Sequence, residues 1–358
     1  MDKLIKTFDK ETASMPGIAI VLGLLFGALI MLVGGYNPLQ AYASLFEKVF
    51  GSMYDLGETI RQITPLVFTG LSIAFAFRTG LFNIGAEGQF IMGMTGASIV
   101  GIKLSLPAYI HAPLAIIAGA LLAGLWGALA GWLKARFGVN EVITTIMLNW
   151  TALYLSNYIV RAWLLEPKQQ RSYFIHDSAK VSLGWLSGLF GNARMHIGIF
   201  IALLAALVFY VLLWKTKQGF ELRAVGLNPN AAQYAGMNVK RNMVLAMFIG
   251  GIFAGLGGVF EVLGVFHYQV NSPAMPGYGF DGIAVSLLGG NHPAGVVLAA
   301  ILFGSLTYGS AGMSFGANVP PEIIRIVIGA VIFFVAAPGI IRWVMRLFAG
   351  KRKKGEVA

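Results

Sequence analysis

The 358-residue chain contains no cysteine, which excludes disulfides and thiolate ligands. Charge is scarce as well, since Asp, Glu, Lys and Arg make up 11% of residues against 57% hydrophobic ones. A soluble domain of this length needs more polar surface, so the composition points to a polytopic membrane protein. No G-x-x-x-x-G-K-[ST] phosphate loop occurs, and any dependence on ATP must come from another subunit. His111, His176, His196, His267 and His292 are scattered without metal-site spacing, and no nucleophile-and-base pattern accompanies them. No catalytic residue, metal or cofactor is therefore assigned. The formal charge of +11 has no soluble domain to organise it, which argues against a nucleic-acid partner.

What the chain has instead is about ten apolar stretches, most of about 18 to 22 residues, which suits helices crossing roughly 30 Å of hydrocarbon. They lie near Gly17–Val33, Ile60–Phe77, Ile84–Ile102, Leu114–Leu133, Ile143–Trp163, Ile197–Trp214, Met243–Val265, Gly282–Leu288, Val296–Gly309 and Ile323–Ile341. The eighth is too short to span alone, so some helices are discontinuous. The expected fold is one all-α transmembrane domain over residues 1–358. Met1 to Met15 carries both signs and lacks a small-residue cleavage site, so the first span is expected to remain. The Lys134–Arg136 turn, the loop 215–241 and the tail with Arg342, Arg346 and Lys351–Lys354 fall on one side of the membrane, cytoplasmic by the positive-inside rule. Lys3, Lys6 and Lys10 join them, putting both termini inside. The basic loop 161–196 is then extracytoplasmic, an exception that long loops allow.

Small residues mark where helices touch. Gly119, Ala123, Gly127 and Gly131 recur at every fourth position, and Gly251 and Gly255 repeat the spacing, which permits close backbone approach. A weak duplication also runs through the chain. Phe82-Asn-Ile-Gly-Ala resembles Phe280-Asp-Gly-Ile-Ala, and Asn140-Glu-Val-Ile-Thr resembles Pro321-Glu-Ile-Ile-Arg, in the same order. An offset of five spans inverts the second half, so two five-helix halves in inverted repeat are expected, an arrangement common among transporters.

The strongest motif inside the membrane is FRTGLFNIGAEGQF, beginning at Phe77. Gly80, Gly85 and Gly88 permit a broken backbone, and Asn83, Glu87 and Gln89 place polar groups at the start of a span, where lipid exposure is costly. Such groups either contact a hydroxylated substrate or brace the discontinuous helix. Asn149 and Asp281, with Glu141 and Glu322, invite the same argument, and Arg78 and Arg325 are candidate partners for the carboxylates. If the halves are inverted, Asn83 and Asp281 approach the axis from opposite leaflets, with Glu87, Gln89 and Asn149 lining a pathway between them.

The loop 215–241 is polar and basic and must sit at a membrane face. Glu221 to Val225 and Asn230 to Ala235 favour helix, separated by Gly226-Leu-Asn-Pro, a stop and restart that predicts a compact knob.

FRTGLFNIGAEGQF, NEVITTIMLNW and RAVGLNPNAAQYAGMNV together resemble the permease subunits of bacterial ATP-binding-cassette importers, in the branch shared by ribose and branched-chain amino-acid permeases. The NIGAEGQ and EVITTIMLN runs are most similar to the nucleoside permeases of that branch. This resemblance implies a bacterial inner-membrane importer for a nucleoside-like molecule. It also implies cytoplasmic ATPase subunits, a second permease that is the same or a related chain, and a substrate-binding lipoprotein outside. It places a coupling helix at Glu221 to Tyr234, so Glu221, Arg223, Ala224, Gly226 and Asn228 are expected to dock in a groove of the ATPase, with Gly226 allowing the turn. The alternatives are a simple-sugar permease of the ribose type and an ion-coupled carrier, which would need Glu87 and Asp281 as coupling carboxylates. In the outer loop, Lys168, Arg171, Lys180 and Arg194 are expected to pair with acidic residues of the binding protein, and Trp185 to Phe190 to form an amphipathic helix.

Overall fold

The computed structural model describes residues 2–336, and these are helical nearly throughout, with isolated β-bridges and no strand among them. The order is α1 (Asp2–Val33), α2 (Pro38–Phe50), α3 (Met53–Arg78), α4 (Ala86–Lys103), α5 (Ala108–Phe137), α6 (Glu141–Ile159), α7 (Gly184–Leu189), α8 (Gly198–Lys215), α9 (Lys217–Leu227), α10 (Pro229–Tyr234), α11 (Val239–Phe260), α12 (Tyr278–Leu288), α13 (Pro293–Ala317) and α14 (Pro321–Ala336). Two helices end in π turns, α6 over Val160–Leu164 and α11 over Glu261–Phe266. The basic tail and the last residues of the span expected over Ile323–Ile341 lie outside the described residues.

Helix starts follow local chemistry. Asn140, Asn228 and Asn238 cap α6, α10 and α11 with their side-chain carbonyls, and Ser52 accepts from the Asp55 N–H at 3.0 Å to cap α3. Gly138, at φ 69°, terminates α5 in the left-handed conformation. Among the described residues, five helices are long and apolar enough to cross a membrane: α3, α5, α8, α11 with its π turn, and α13. Gly17–Val33 and α12 are shorter apolar pieces. Helices also form where the spans at α4, α6 and α14 were expected, with 18, 19 and 16 residues. The sequence reading missed α2, whose 13 residues start on an Asn37 cap followed by Pro38 and bury only Ala41, Leu45 and Val49 beyond that proline. A helix of that length is too short to register as a span.

The chain divides into two compact bodies. In the smaller, Gly23 and Gly27 of α1 lie against Val331 and Val327 of α14, and the Gln40 side-chain amide of α2 donates to the Gly316 carbonyl at 3.1 Å. In the larger, Ser52–Ser305, the glycine stripes do what their spacing predicted. Gly127 and Gly131 of α5 lie on Met247 and Val244 of α11, and Gly251 and Gly255 return the contact against Ala123. Gly93 of α4 meets the Gly255 backbone, so α4, α5 and α11 cross at near-backbone distance.

This packing makes a prediction. A Cβ at Gly251 would fall 2.5 Å from the Ala123 carbonyl oxygen and 3.0 Å from Gly124 Cα, neither of which can rotate away. Gly251→Ala should cost about 1–3 kcal/mol and lower the thermal midpoint in detergent. Gly188→Ala on α7, where nothing lies within 4 Å of the new atom, should leave it unchanged or raised.

Candidate functional site

The larger body contains two breaks in its helical backbone, residues 79–85 before α4 and 267–277 before α12, and they bring two helix N-termini together. Gly277 caps α12 with φ 95°, a conformation that glycine alone adopts without strain. Gly279 lies on the Ala86 and Glu87 backbone so closely that a Cβ has no room. Glu87, in the first turn of α4, reaches across the junction. One carboxylate oxygen accepts the Gly277 N–H at 2.6 Å and the other the Gly279 N–H at 2.5 Å. Both termini carry partial positive charge and unpaired N–H groups, so one buried anion satisfies donors of α12 while offsetting two dipoles.

Asn83 and Gln89 secure the α4 side. Their amides exchange two hydrogen bonds, 3.0 and 3.2 Å, and Asn83 also accepts from Gly85 N–H at 3.0 Å and donates to Ser72 Oγ at 3.3 Å. Asn149 of α6 accepts from Gly88 N–H at 2.8 Å and donates to the Ile84 carbonyl at 2.9 Å. Asn83, Glu87, Gln89 and Asn149 are all buried, and Asp281 is half-buried in the first turn of α12. Four of the five expected pathway residues therefore gather at one joint and spend their polar groups on bracing it. Arg78 does not pair with a carboxylate. Its guanidinium donates to the carbonyls of Gly290 and Asn291, at 3.0 and 2.9 Å, just beyond the α12 C-terminus, where a cation is favoured. Glu141 pairs with Lys134 at 2.5 Å, which holds its carboxyl below the usual range despite partial burial.

A cavity of about 340 Å³ opens beside this joint, within the size range of small-molecule sites. Phe90 and Met94 of α4, Ser156 and Asn157 of α6, Tyr268, Gln269 and Ser272 of the 267–277 break, and Tyr278 of α12 line it. Phe90 and Tyr278 have ring centroids 5.3 Å apart. The Asn157 amide donates to the Ser272 carbonyl at 2.8 Å, tying α6 to the break. None of the five expected pathway residues lines this cavity.

An ion cluster borders it. Glu58 accepts from Arg61 at 2.8 Å and from both the Arg194 guanidinium, at 2.7 and 3.1 Å, and the Arg194 N–H, at 2.9 Å. Arg61 also approaches Glu261 at 3.6 Å, and the Tyr278 hydroxyl donates to Glu261 at 3.3 Å. Glu58, Arg61 and Glu261 are buried. The sequence signal was available, because Glu58 and Arg61 stand one turn apart beside an apolar run and Glu261 lies inside another, yet none was singled out.

Two helices form in this loop, but the break is shorter than expected and Gly226 does not make the turn: α9 runs through Gly226 to Leu227, Asn228 caps, and α10 starts at Pro229. Glu221 accepts from the Asn242 amide at 3.3 Å, and Arg223 and Ala224 are half-buried on α9. Gly226 lies on the backbone of Arg78, Thr79 and Gly80, so it serves as a crossing point between α9 and the break before α4. The exposed tip consists of residues the sequence reading passed over, Leu227 at 89% and Tyr234 at 95% exposure. Lys134 and Gly138 share a cleft with Gly236, Asn238 and Lys240, which puts the 134–138 turn and this loop on one face.

In the outer segment, Arg171 pairs with Glu166 at 2.9 Å and stacks over Phe174, Lys180 pairs with Asp177 at 2.5 Å, and Arg194 is committed to Glu58. Lys168 sits at a turn with φ 66°. The helix expected over Trp185 to Phe190 forms as α7, with Trp185 and Leu189 exposed and Leu186 buried.

A protein-family model described as branched-chain amino acid transport system / permease component matches residues 56–336, and the chain belongs to this family. It is 52% identical over 340 residues to the guanosine ABC transporter permease protein NupP of Bacillus subtilis, covering 95% of this chain and 96% of that one. It is 39% identical over 356 residues to the nucleoside ABC transporter permease protein NupB of Lactococcus lactis, covering 96% and 98%. The glucose ABC transporter permease protein TsgB13 of Haloferax volcanii is 32% identical over 89% of this chain and 86% of its own. The chain is thus a membrane-embedded permease component of a transport system.

The joint yields a test of what Glu87 does. Glu87→Gln turns one acceptor oxygen into a donor facing an N–H, so about 1.5–3 kcal/mol of charge-assisted hydrogen bonding should be lost. The thermal midpoint of the purified protein should fall, and Asp281→Asn should shift it less. An unchanged midpoint with abolished uptake would make Glu87 a substrate contact instead.

Proposed function

We propose that this chain is a transmembrane permease subunit of an ATP-binding-cassette importer that passes nucleosides from an external binding lipoprotein into the cytoplasm, ATP being hydrolysed by separate subunits. The observation that carries the reading is the cavity, whose aromatic rings face a polar edge of amides and hydroxyls beside a buried carboxylate. Aromatic walls suit a nucleobase, and hydroxyl-binding groups suit a ribose. The 52% and 39% identities to guanosine and nucleoside permeases over nearly the whole chain support the same substrate class. A simple sugar is the alternative, in line with the glucose permease at 32% identity, but it leaves the aromatic walls with less to do. Against an ion-coupled carrier stands Glu87, whose two oxygens are occupied by backbone N–H groups.

About ten spans in two inverted halves complete the reading. After its first span each half has a long helix, α3 or α11, followed by a break, a helix beside the Phe-Asn or Phe-Asp motif, another long helix, and a last one starting at Asn140-Glu141 or Pro321-Glu322. Both termini and the loop 215–241 are placed in the cytoplasm, and 161–196 outside. There Lys168 and the exposed Tyr173, Phe174 and Trp185 offer the binding lipoprotein a surface. The Asn83, Glu87, Gln89, Asn149 and Asp281 group acts as the hinge of the pathway. A second permease, the same or a related chain, completes the importer.

Coupling to the ATPase runs through α9 and α10, with Leu227 and Tyr234 as the apolar contact and Glu221, Arg223, Ala224, Gly226 and Asn228 shaping the knob behind them. Two measurements test the proposal. Cells lacking this chain should lose uptake of radiolabelled guanosine, and unlabelled nucleosides should compete where ribose and glucose do not; competition by the sugars alone would overturn the nucleoside reading. Leu227→Asp with Tyr234→Ala should reduce ATPase association at least about tenfold, as loss of an interface hot spot does, without lowering the amount of permease in the membrane. Full association would remove the knob from the interface.

A further inference from the structure

Gln269 carries an unused acceptor in the cavity wall. It lies in the break between α11 and α12 and is 3% exposed. Its amide nitrogen donates to Ser156 Oγ at 2.7 Å and to Thr95 Oγ1 at 3.1 Å. Thr95 Oγ1 in turn has two acceptors at 2.9 Å, the Ile91 carbonyl and Ser156 Oγ. The backbone N–H of Gln269 is also committed, to Ser172 Oγ at 2.9 Å. The carbonyl oxygen, Oε1, is left buried with no protein partner. An unpaired buried acceptor is costly, and one that lines a cavity can be satisfied by a donor entering that cavity.

The surroundings say what that donor belongs to. Gln269 shares the cavity with Phe90, Tyr268 and Tyr278, which give it aromatic walls, while the Asn157 amide is already committed to the Ser272 carbonyl. We infer that Gln269 is a specificity-determining residue, whose Oε1 accepts a hydrogen bond from an N–H on the edge of a nucleobase held among these rings. The inference rests on the nucleoside reading above and deepens it: the preferred substrates are nucleosides whose base presents an amino or imino N–H. Sites built to bond a donor reject analogues that lack it far more strongly than apolar pockets reject a change of size, because the protein group is then stranded.

Guanosine presents such donors, and purine riboside, which keeps the ring and the ribose, presents none on its base. The test uses the complete permease and ATPase complex in nanodiscs without the binding protein, so that the binding protein's own selectivity does not enter. Displacement of tritiated guanosine by each unlabelled compound gives their relative affinities. The unaltered complex should favour guanosine by at least about tenfold, and Gln269→Met, similar in volume but without the acceptor, should bring the ratio to near one. Equal affinities in the unaltered complex would overturn the inference without any variant, and a preference that survives Gln269→Met would overturn it too. Failure of the complete importer, with its binding protein, to take up any nucleoside would instead overturn the nucleoside reading. Nucleoside uptake by the complete importer, together with equal displacement by guanosine and purine riboside in nanodiscs, would sink only the role of Gln269.

Discussion

A carboxylate between two helix N-termini is the constraint on which the larger body depends. Each broken helix presents unpaired N–H groups and the positive end of its dipole to the other, and no water is available in a hydrocarbon slab to satisfy either. Glu87 solves both problems with one side chain because its oxygens diverge toward Gly277 and Gly279. Phe90 follows Glu87 by three residues on α4, and Tyr278 stands between the two glycines, so the rings that flank the cavity are positioned by the same joint. The bracing pair Asn83 and Gln89, with Asn149 from α6, holds the α4 end rigid enough for that geometry to persist.

Polar groups elsewhere obey the same economy. Two glutamates and two arginines, Glu58, Glu261, Arg61 and Arg194, form a mutually paired cluster, and Arg194 brings the outer segment down onto the start of α3. Breaking such a cluster leaves an uncompensated buried charge, a far larger cost than the pair itself returns. Close helix contacts are left to glycines, since association in lipid gains little from the hydrophobic effect and much from packing. Among the described residues a few buried polar atoms lack a partner, Ser98 Oγ, Arg223 Nε and His267 Nδ1 among them, and the Oε1 of Gln269 is the one on a residue that lines the cavity.

The knob divides its labour in a way that its sequence only half disclosed. The restart at Pro229 was legible because proline acts on the local backbone, whereas the stop expected at Gly226 falls at Asn228, with Gly226 still helical. What Gly226 faces was not legible, since its partner, the turn at Thr79 and Gly80, lies far away in the chain. The same distinction separates Leu227 and Tyr234, two unremarkable apolar residues in a polar loop, from the exposed tip they form.

Composition and periodicity by themselves determined that the chain is a helical membrane protein, roughly where its helices run, which stripes of glycine lie at crossings, and that FNIGAEGQ begins a broken helix with polar groups needing partners. These are local consequences of dihedral preference, hydrocarbon thickness and desolvation, and each can be computed from neighbouring residues. Only the tertiary structure decided that Glu87 serves backbone N–H groups 190 and 192 positions away, that Arg78 caps carbonyls in place of a carboxylate, and that Gln269 lines a cavity with Ser156 and Phe90. A hydrogen bond acts over about 3 Å whatever the separation along the chain, and no local pattern says which distant segment will arrive within that reach.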